Sequence, residues 1–195
     1  MSVSRFSQSS LQNGFEKFNT IWDGKTAVGS MEAISSVTLS STLGSVSFNN
    51  IPQTYQHLEL RTMALGSSSN QDILIRFGSS STIDSGSNYS WHELRGTGTN
   101  PVSSTATPNA SALYVSSNAI DSAFPDISIL SIVDYSNINK YKTLRVLRGG
   151  DRNGSGTMGI FSGNWRSFNA IDSLLIYVSG GSFNANSTFS LYGIK

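Results

Sequence analysis

The segment SGGSFNANSTFSLYGIK, residues 179–195, is the stretch around which the chain is organised. A turn rich in Gly and Asn leads into an alternating run, in which Phe189, Leu191 and Gly193 face one side and the residues between them face the other. This period of two is typical of a β-strand and not of a helix. Because the strand continues to the last residue, we expect the C-terminus to be held in a sheet.

The same alternation recurs from residue 31 to residue 178. It is clearest at 57–64, where Leu58 and every second residue after it are apolar or small, and the stretch 124–135 is so continuously apolar that it predicts a central strand. Ten or eleven strands with no amphipathic helix between them exclude an alternating βαβ architecture. The sequence therefore predicts an all-β fold, an antiparallel two-sheet β-sandwich over residues 31–195 with jelly-roll-like topology.

Two long polar stretches, 78–88 and 96–109, are predicted to be loops. Both are rich in Ser, Thr, Gly and Asn, and the second contains Pro101 and Pro108, which exclude it from a central strand. Loops of this length in a compact domain are usually either functional or disordered. They are therefore the predicted positions of any exposed recognition face.

Residues 1–30 differ from the rest and are predicted to form an extended N-terminal arm. Its large apolar side chains include Phe6, Leu11, Phe15, Phe18 and Trp22. The last four are at helical spacing, but Gly14 interrupts them, so we expect no more than one helical turn. Burying each aromatic side chain is worth about 1.5–3 kcal/mol. We predict these five residues to bind a partner, either a sister subunit or another protein; packing on their own domain is the alternative.

The composition excludes several classes of function. Charged residues make up 13% of the chain and the formal net charge is +1, so neither nucleic acid nor an anionic membrane is expected as a partner. There is no cysteine, which excludes disulfides and thiolate metal sites. No apolar run approaches the roughly 18 residues that span a membrane.

The largest group of basic residues lies within 140–152. It consists of Lys140, Lys142, Arg145, Arg148 and Arg152. On a strand with turns these positions do not share one face, so scattered solvated charges are the favoured interpretation.

The motifs of common active sites are missing from the sequence. His57 and His92 are far apart, and no GxSxG elbow, Walker loop or GxGxxG follows a strand. The segment 151–156 resembles the start of a calcium loop, but the acidic residue required at its twelfth position would be Ser162. We therefore predict no catalytic residue, no cofactor and no metal site.

Four stretches along the chain carry a resemblance to a known family. They are SVSRFSQSSLQNGFEKF at 2–18, SFNNIPQTYQHLELR at 47–61, ILIRFGSSSTIDSGSNYSWHELRG at 73–96 and STFSLYGIK at 187–195. In this order they resemble the virion structural proteins of tailed bacteriophages. The resemblance implies a surface, cement or appendage role on the particle, and it supplies no catalytic motif.

The resemblance leads to one expected function. We expect a non-enzymatic capsid decoration or cement protein that binds the major capsid protein or another virion component, on a particle assembled in the host cytoplasm. A closed homo-oligomer matches the repeated sites of a shell. The family and the three-fold sites of icosahedral shells favour a trimer.

Two other functions remain open at the level of sequence. A tail or head-fibre domain that recognises a host glycan would present aromatic side chains on the loops 78–88 or 96–109; neither contains one, although Tyr89 and Trp91 lie beside them. A small polysaccharide-degrading enzyme would need a pair of carboxylates, and no pair stands out. The aromatic side chains are expected to be mainly in the core.

Overall fold

A computed structural model describes residues 30–98, 100 and 102–195. Almost all of the predicted arm, residues 1–29, lies outside the described residues. The five predicted partner-binding residues lie there too: Phe6, Leu11, Phe15, Phe18 and Trp22. Their partner-binding role stays a prediction.

The described residues form strands joined by turns and loops, with no helix among them. The strands are β1 (Met31–Thr38), β2 (Ser45–Phe48), β3 (His57–Ala64), β4 (Gln71–Ser79), β5 (Thr82–Ile83), β6 (Tyr89–Thr97), β7 (Ser103–Ala110), β8 (Leu113–Ile120), β9 (Asp126–Val133), β10 (Lys142–Gly150), β11 (Thr157–Trp165), β12 (Ser173–Val178) and β13 (Thr188–Ile194).

These strands pair in two antiparallel sheets. The larger sheet has eight strands in the order β1-β13-β3-β9-β10-β11-β6-β7. The smaller has β2-β12-β4, and the far edge of β4 pairs with β5 at one end and with β8 at the other. The predicted all-β, antiparallel two-sheet sandwich is therefore confirmed. Most connections cross between the sheets, as in a jelly roll, whereas β9, β10 and β11 form a meander within one sheet.

The hydrophobic core fills the space between the two sheets. Alternation places Leu58 and Leu60 of β3, which are fully buried, on the inner face of the larger sheet, as the sequence predicts. Across from that face, the smaller sheet contributes Ile75 and Phe77 of β4 and Ile176 of β12, also fully buried. Strands of period two bury one side chain in two, so each sheet presents one apolar face to the other.

The C-terminal strand β13 lies inside the larger sheet, between β1 and β3. Phe189 and Leu191 are fully buried, and the Phe189 ring meets Phe183 edge to face at 4.8 Å between centroids. Gly193 is required by a close approach, because a Cβ there would lie 2.3 Å from the Tyr55 ring. The predicted strand is confirmed, and it is held by ladders on both sides.

The prediction that 96–109 is a loop is wrong for most of its length. Ser103–Ala110 forms β7, which pairs with β6 at the edge of the larger sheet. Pro108 is tolerated because an edge strand does not need every N–H in a ladder. The stretch 78–88 also contains β5, joined to β4 by a two-residue turn at Ser80 and Ser81, whose φ angles are +52° and +62°.

Candidate interaction surface

The outer face of the larger sheet carries a group of exposed apolar side chains. We call it the outer patch, and its members are between 38% and 60% exposed. It consists of Met63, Leu94, Ile127, Ile129, Leu147, Met158 and Ile160. The other exposed apolar side chains of the described residues are outside this group, at strand ends or in loops for the most part.

Strand register makes the outer patch continuous. Neighbouring residues on adjacent strands form two lines, one across β9, β10, β11 and β6 and the other across these strands and β3. The first line is Ile129, Leu147, Ile160 and Leu94; the second is Met63, Ile127, Gly149, Met158 and Gly96. Directly opposed side chains on a sheet lie about 4.5–5.5 Å apart at Cβ, so the first line is an unbroken row of apolar neighbours, whereas glycines interrupt the second. Contiguous apolar surface of this kind marks sites of protein association.

Two glycines leave low points within the outer patch. A Cβ at Gly149 would meet no atom within 4 Å, and one at Gly96 would meet only Met158 Cγ, at 3.9 Å. Along β10, Leu147 stands next to Gly149 on this face, and along β6, Leu94 stands next to Gly96. The patch therefore has projecting leucines beside open space.

Charged side chains border the outer patch on one side. Arg61 Nε lies 2.8 Å from Glu59 Oε1 in an exposed ion pair. Arg145 of β10 is exposed and forms no ion pair with any described residue. A shallow groove of about 360 Å³ runs between Glu59, Ile129, Arg145 and Ile160. The border is therefore polar around an apolar centre, as in protein interfaces.

The apolar run of β9 is a signal for this patch in the sequence, although its pattern by itself indicates only a central strand. The continuous apolar run of β9 predicts a central strand, and β9 is the fourth of eight strands. Such a run is usual where both faces of a sheet are covered. Here Leu130 and Ile132 are in the core, whereas Ile127 and Ile129 face outwards with no described residue over them. The outward-facing residues of the β9 run therefore belong to the outer patch.

A second cluster of polar side chains is enclosed between the sheets. Arg148 of β10 points into the core and is 0% exposed. Its Nη1 donates hydrogen bonds to Ser116 Oγ at 3.1 Å and to Thr157 Oγ1 at 2.9 Å, and its Nη2 donates to Ser117 Oγ at 3.1 Å. The guanidinium is thus fixed from β8 and β11 together.

Two carboxylates accompany that guanidinium. Glu93 Oε1 lies 3.6 Å from Arg148 Nη2, and Asp126 Oδ2 lies 3.6 Å from Nη1. The Ser117 hydroxyl donates to Glu93 at 2.6 Å. Because Glu93 and Asp126 are 5% and 0% exposed, a substrate has no access to this pair. The cluster joins β6, β8, β9 and β10 by charge pairing.

Burial shifts the pKa values of both Asp126 and Arg148 in this cluster. It raises the pKa of Asp126, although the charge of Arg148 and hydrogen bonds from serine side chains act in the opposite direction. It lowers the pKa of Arg148, against the attraction of Asp126 and Glu93. Charges removed from water in this way are stable only as long as each keeps its partner.

The basic residues of 140–152 do not share one face, as predicted, but the expectation that they are solvated charges is wrong for two of them. Lys142 and Arg148 are buried, whereas Arg145 faces solvent on the opposite side of β10. Lys142 Nζ donates to the Lys140 carbonyl at 2.9 Å and to the Ser167 carbonyl at 3.4 Å. Burial lowers the pKa of this lysine, and repulsion from the Lys140 charge lowers it further by a smaller amount. These residues do not form a single basic surface.

The described residues contain no group of three or more His, Asp or Glu side chains that could hold a metal ion. His57 Nδ1 accepts a hydrogen bond from the Asp134 backbone N–H at 3.0 Å. His92 lies on the outer face of β6, whose partner across the ladder is Ser162. The structure does not bring the two histidines into one site.

A polar groove of about 520 Å³ lies at the end of the sandwich where β6 begins and β11 ends. Its lining includes Asp84, Asn88, Arg166 and Asn169. Asp84 Oδ2 accepts hydrogen bonds from the buried Trp165 indole at 2.7 Å and from Asn88 at 2.9 Å. Burial acts to raise the pKa of Asp84, but these hydrogen bonds outweigh it and hold the pKa below its usual value.

An exposed aromatic pair lies at the same end of the sandwich as this groove. Tyr141 and Phe168 are 44% and 56% exposed, and their ring centroids are 5.0 Å apart. Phe168 stands between Ser167 and Asn169, which line the groove. Trp91 and Trp165 are buried as expected. Exposed aromatics thus occur at this end of the sandwich, and not on the stretches 78–88 and 96–109, where the glycan-binding hypothesis required them.

Comparisons with known proteins assign this chain to no family. No family model matches the chain, and no curated protein is similar to it. A solved structure of a protein of unknown function from Shewanella oneidensis MR-1 aligns with all of this chain and 97% of that chain, at 11% identity and a TM-score of 0.25. A similarity at that TM-score carries no argument about function.

Within the described residues there is no helix that is long and apolar enough to cross a membrane.

Proposed function

We propose that the chain is a non-enzymatic structural protein of a tailed-phage virion, most specifically a capsid decoration protein that binds and stabilises the shell as an oligomer. The observation that carries the proposal is the outer patch. Seven large apolar side chains on one sheet face are between 38% and 60% exposed, and no described residue covers them. Association removes them from water at a gain of roughly 25 cal/mol per Å² of apolar area.

The fold suits adhesion because only one face of the larger sheet is needed for the core. The inner face of the larger sheet is occupied by the core, whereas the outer patch has no described residue over it. Its side chains are on strands that are paired on both sides, and a face held in this way loses less conformational entropy on binding than a loop does, so more of the contact energy appears as affinity. The outer patch is the proposed contact within the oligomer, and the predicted arm, residues 1–30, is the proposed contact with the major capsid protein or another virion component.

Deletion of residues 1–30 is expected to detach the protein from particles without unfolding it. The reason is that β1 begins at Met31, so the deletion removes no strand from either sheet. Particles assembled with the truncated chain should carry less than about a tenth of the normal copies after purification, as quantified by mass spectrometry. The isolated truncated chain should keep its circular dichroism spectrum. Normal occupancy of the truncated chain on particles would assign attachment to the β-sandwich.

Cryo-electron microscopy of intact particles tests the proposed function directly. A decoration protein is expected at repeated local symmetry axes over the whole shell, because closed oligomers match repeated sites. Location of the chain only at the tail or at one vertex would contradict decoration and favour receptor binding.

A second candidate function is a tail or head-fibre domain that recognises a host glycan. The observation that favours it is the Tyr141–Phe168 pair beside the polar groove. Small-molecule sites combine apolar or aromatic walls with a few convergent polar groups. Asn88, Arg166 and Asn169 supply amide and guanidinium donors at this groove.

If glycan recognition is the function, Phe168→Ala is expected to weaken glycan binding by about tenfold, the equivalent of about 1.4 kcal/mol. The wild-type chain would first be screened on an array of bacterial surface glycans, and binding would then be measured by calorimetry. Val102→Ala is the matched control, since Val102 is also exposed but lies near the opposite end of the larger sheet. Absence of any array signal for the wild-type chain would exclude this candidate.

A further inference from the structure

We propose that the outer patch binds a second copy of this chain, in a face-to-face dimer with a two-fold axis that lies perpendicular to the strands and passes between Leu147 and Gly149. The inference deepens the proposed function by naming the first contact of the oligomer. The evidence is that the patch is complementary to itself in shape and in charge.

Shape complementarity comes from the alternation of leucine and glycine. The proposed rotation exchanges the two lines of the outer patch, so Leu147 of one copy faces Gly149 of the other. On β6 the same rotation brings Leu94 over Gly96. Open space stands above Gly149, and Met158 Cγ alone approaches a Cβ at Gly96. Each projecting leucine therefore enters a low point of the second copy, and Ile127 and Met158 meet Ile129 and Ile160.

Charge complementarity follows from the same rotation. The outward residues around this point of the chain are Arg145, Leu147, Gly149 and Asp151 in sequence order. The rotation that places Leu147 over Gly149 also places Arg145 over Asp151, once at each end of β10. Arg145 and Asp151 are both exposed, and neither forms an ion pair within the described residues. Opposite charges across an interface set its register.

The alternative two-fold axis, parallel to the strands along β10, is unfavourable. It would place Arg145 of one copy against Arg145 of the other and Leu147 against Leu147. Like charges directly opposite each other are destabilising. The perpendicular axis avoids this repulsion and fills the space above the glycines.

The available area is sufficient for a stable dimer. Five strands at about 4.8 Å spacing and about 27 Å length cover about 650 Å² of sheet face. Two copies together would bury about 1,300 Å², within the range of about 1,200–2,000 Å² for specific interfaces. Paired sheets commonly pack face to face in this way. A trimer, expected from the resemblance and from the three-fold sites of icosahedral shells, does not use a two-fold face.

The decisive experiment exchanges the leucine and the glycine. Sedimentation equilibrium of the purified full chain should give a dimer. Gly149→Leu should raise the dimer dissociation constant at least tenfold, because the new side chain occupies the site of Leu147 from the second copy. Leu147→Gly should weaken the dimer by a similar factor. The double variant Leu147→Gly, Gly149→Leu should recover the wild-type constant to within about threefold, because leucine again faces glycine.

Gly44→Leu is the matched control, since a Cβ at Gly44, like one at Gly149, would meet no atom within 4 Å, and Gly44 lies outside the sheet face. It should leave the dimer unchanged, and each variant should keep the wild-type circular dichroism spectrum. A monomeric wild-type chain, a trimer, or a tighter dimer for Gly149→Leu would overturn the proposal. Failure of the double variant to recover the dimer while both single variants fold would also overturn it. Because no particle is used, these results are independent of shell binding.

Discussion

A chain that lacks residues 189–195 is expected to lose its folded structure entirely. The deletion removes nearly all of β13, which lies between β1 and β3 and buries Phe189 and Leu191 completely. Each of these side chains contributes about 1.5–3 kcal/mol by burial, and both neighbouring strands lose a ladder. Total stabilities of domains are only about 5–15 kcal/mol. Circular dichroism and the dispersion of amide NMR signals provide the measurement.

Point variants in the same strand separate the loss of packing from the loss of chain length. Leu191→Ser removes a fully buried side chain and should lower the free energy of unfolding by several kcal/mol. Tyr192→Ser, on the partly exposed opposite face, should cost much less. A soluble truncated chain that still unfolds cooperatively would show that β13 is dispensable.

Replacement of Arg148 by Met is expected to destabilise the fold by about 3–5 kcal/mol, because it leaves the buried Asp126 without its cation and Glu93 with Arg95 alone, whose Nε lies 3.9 Å away. Arg148 is completely enclosed and lies 3.6 Å from both Glu93 and Asp126. Urea denaturation at low protein concentration measures the change. Arg145→Met is the matched control, since it removes the same side chain from the exposed face of the same strand. It should change stability by no more than about 0.5 kcal/mol.

The loss caused by Arg148→Met should shrink as the pH falls. Burial already raises the pKa of Asp126, and the charge of Arg148 is what opposes that rise. Without Arg148 the pKa of Asp126 rises further. A carboxyl whose pKa is higher in the folded state than in the unfolded state stabilises the fold at low pH, and this contribution is lost as the pH rises through the folded-state value. An equal deficit at pH 5 and pH 7.5 would contradict this explanation.

The class of fold could be predicted because it depends on local pattern. Strands β3 and β13 alternate strictly, and one face of each is buried in the structure. Edge strand β7 was missed because it is polar and contains Pro108, features that a central strand excludes and an edge tolerates. Strand β9 was assigned to the centre correctly, but its sequence does not say whether one or two faces are covered.

The interaction surface and the buried cluster could not be predicted in the same way. Arg145 and Arg148 look alike in the sequence, and alternation alone does not say which is inside; the structure buries Arg148 because Ser116, Ser117 and Thr157 converge on it. Glu93 and Asp126 are far apart along the chain and come together at Arg148 only because β9, β10, β11 and β6 are neighbours in that order in the larger sheet. Likewise, Leu94 and Leu147 become neighbours of one patch through the register of β6, β11 and β10.

Period-two alternation, turn residues and the absence of amphipathic helices are properties of adjacent residues, so the linear chain was sufficient to establish an all-β sandwich that ends in an inserted strand. The outer patch, its leucine–glycine relief and the enclosed Arg148 depend on which strands become neighbours. Pairing between residues distant in sequence is set by the competition of many nearly equal ladders, and it is decided when the whole core packs. For this reason the surface that we assign to a second copy emerges only in three dimensions.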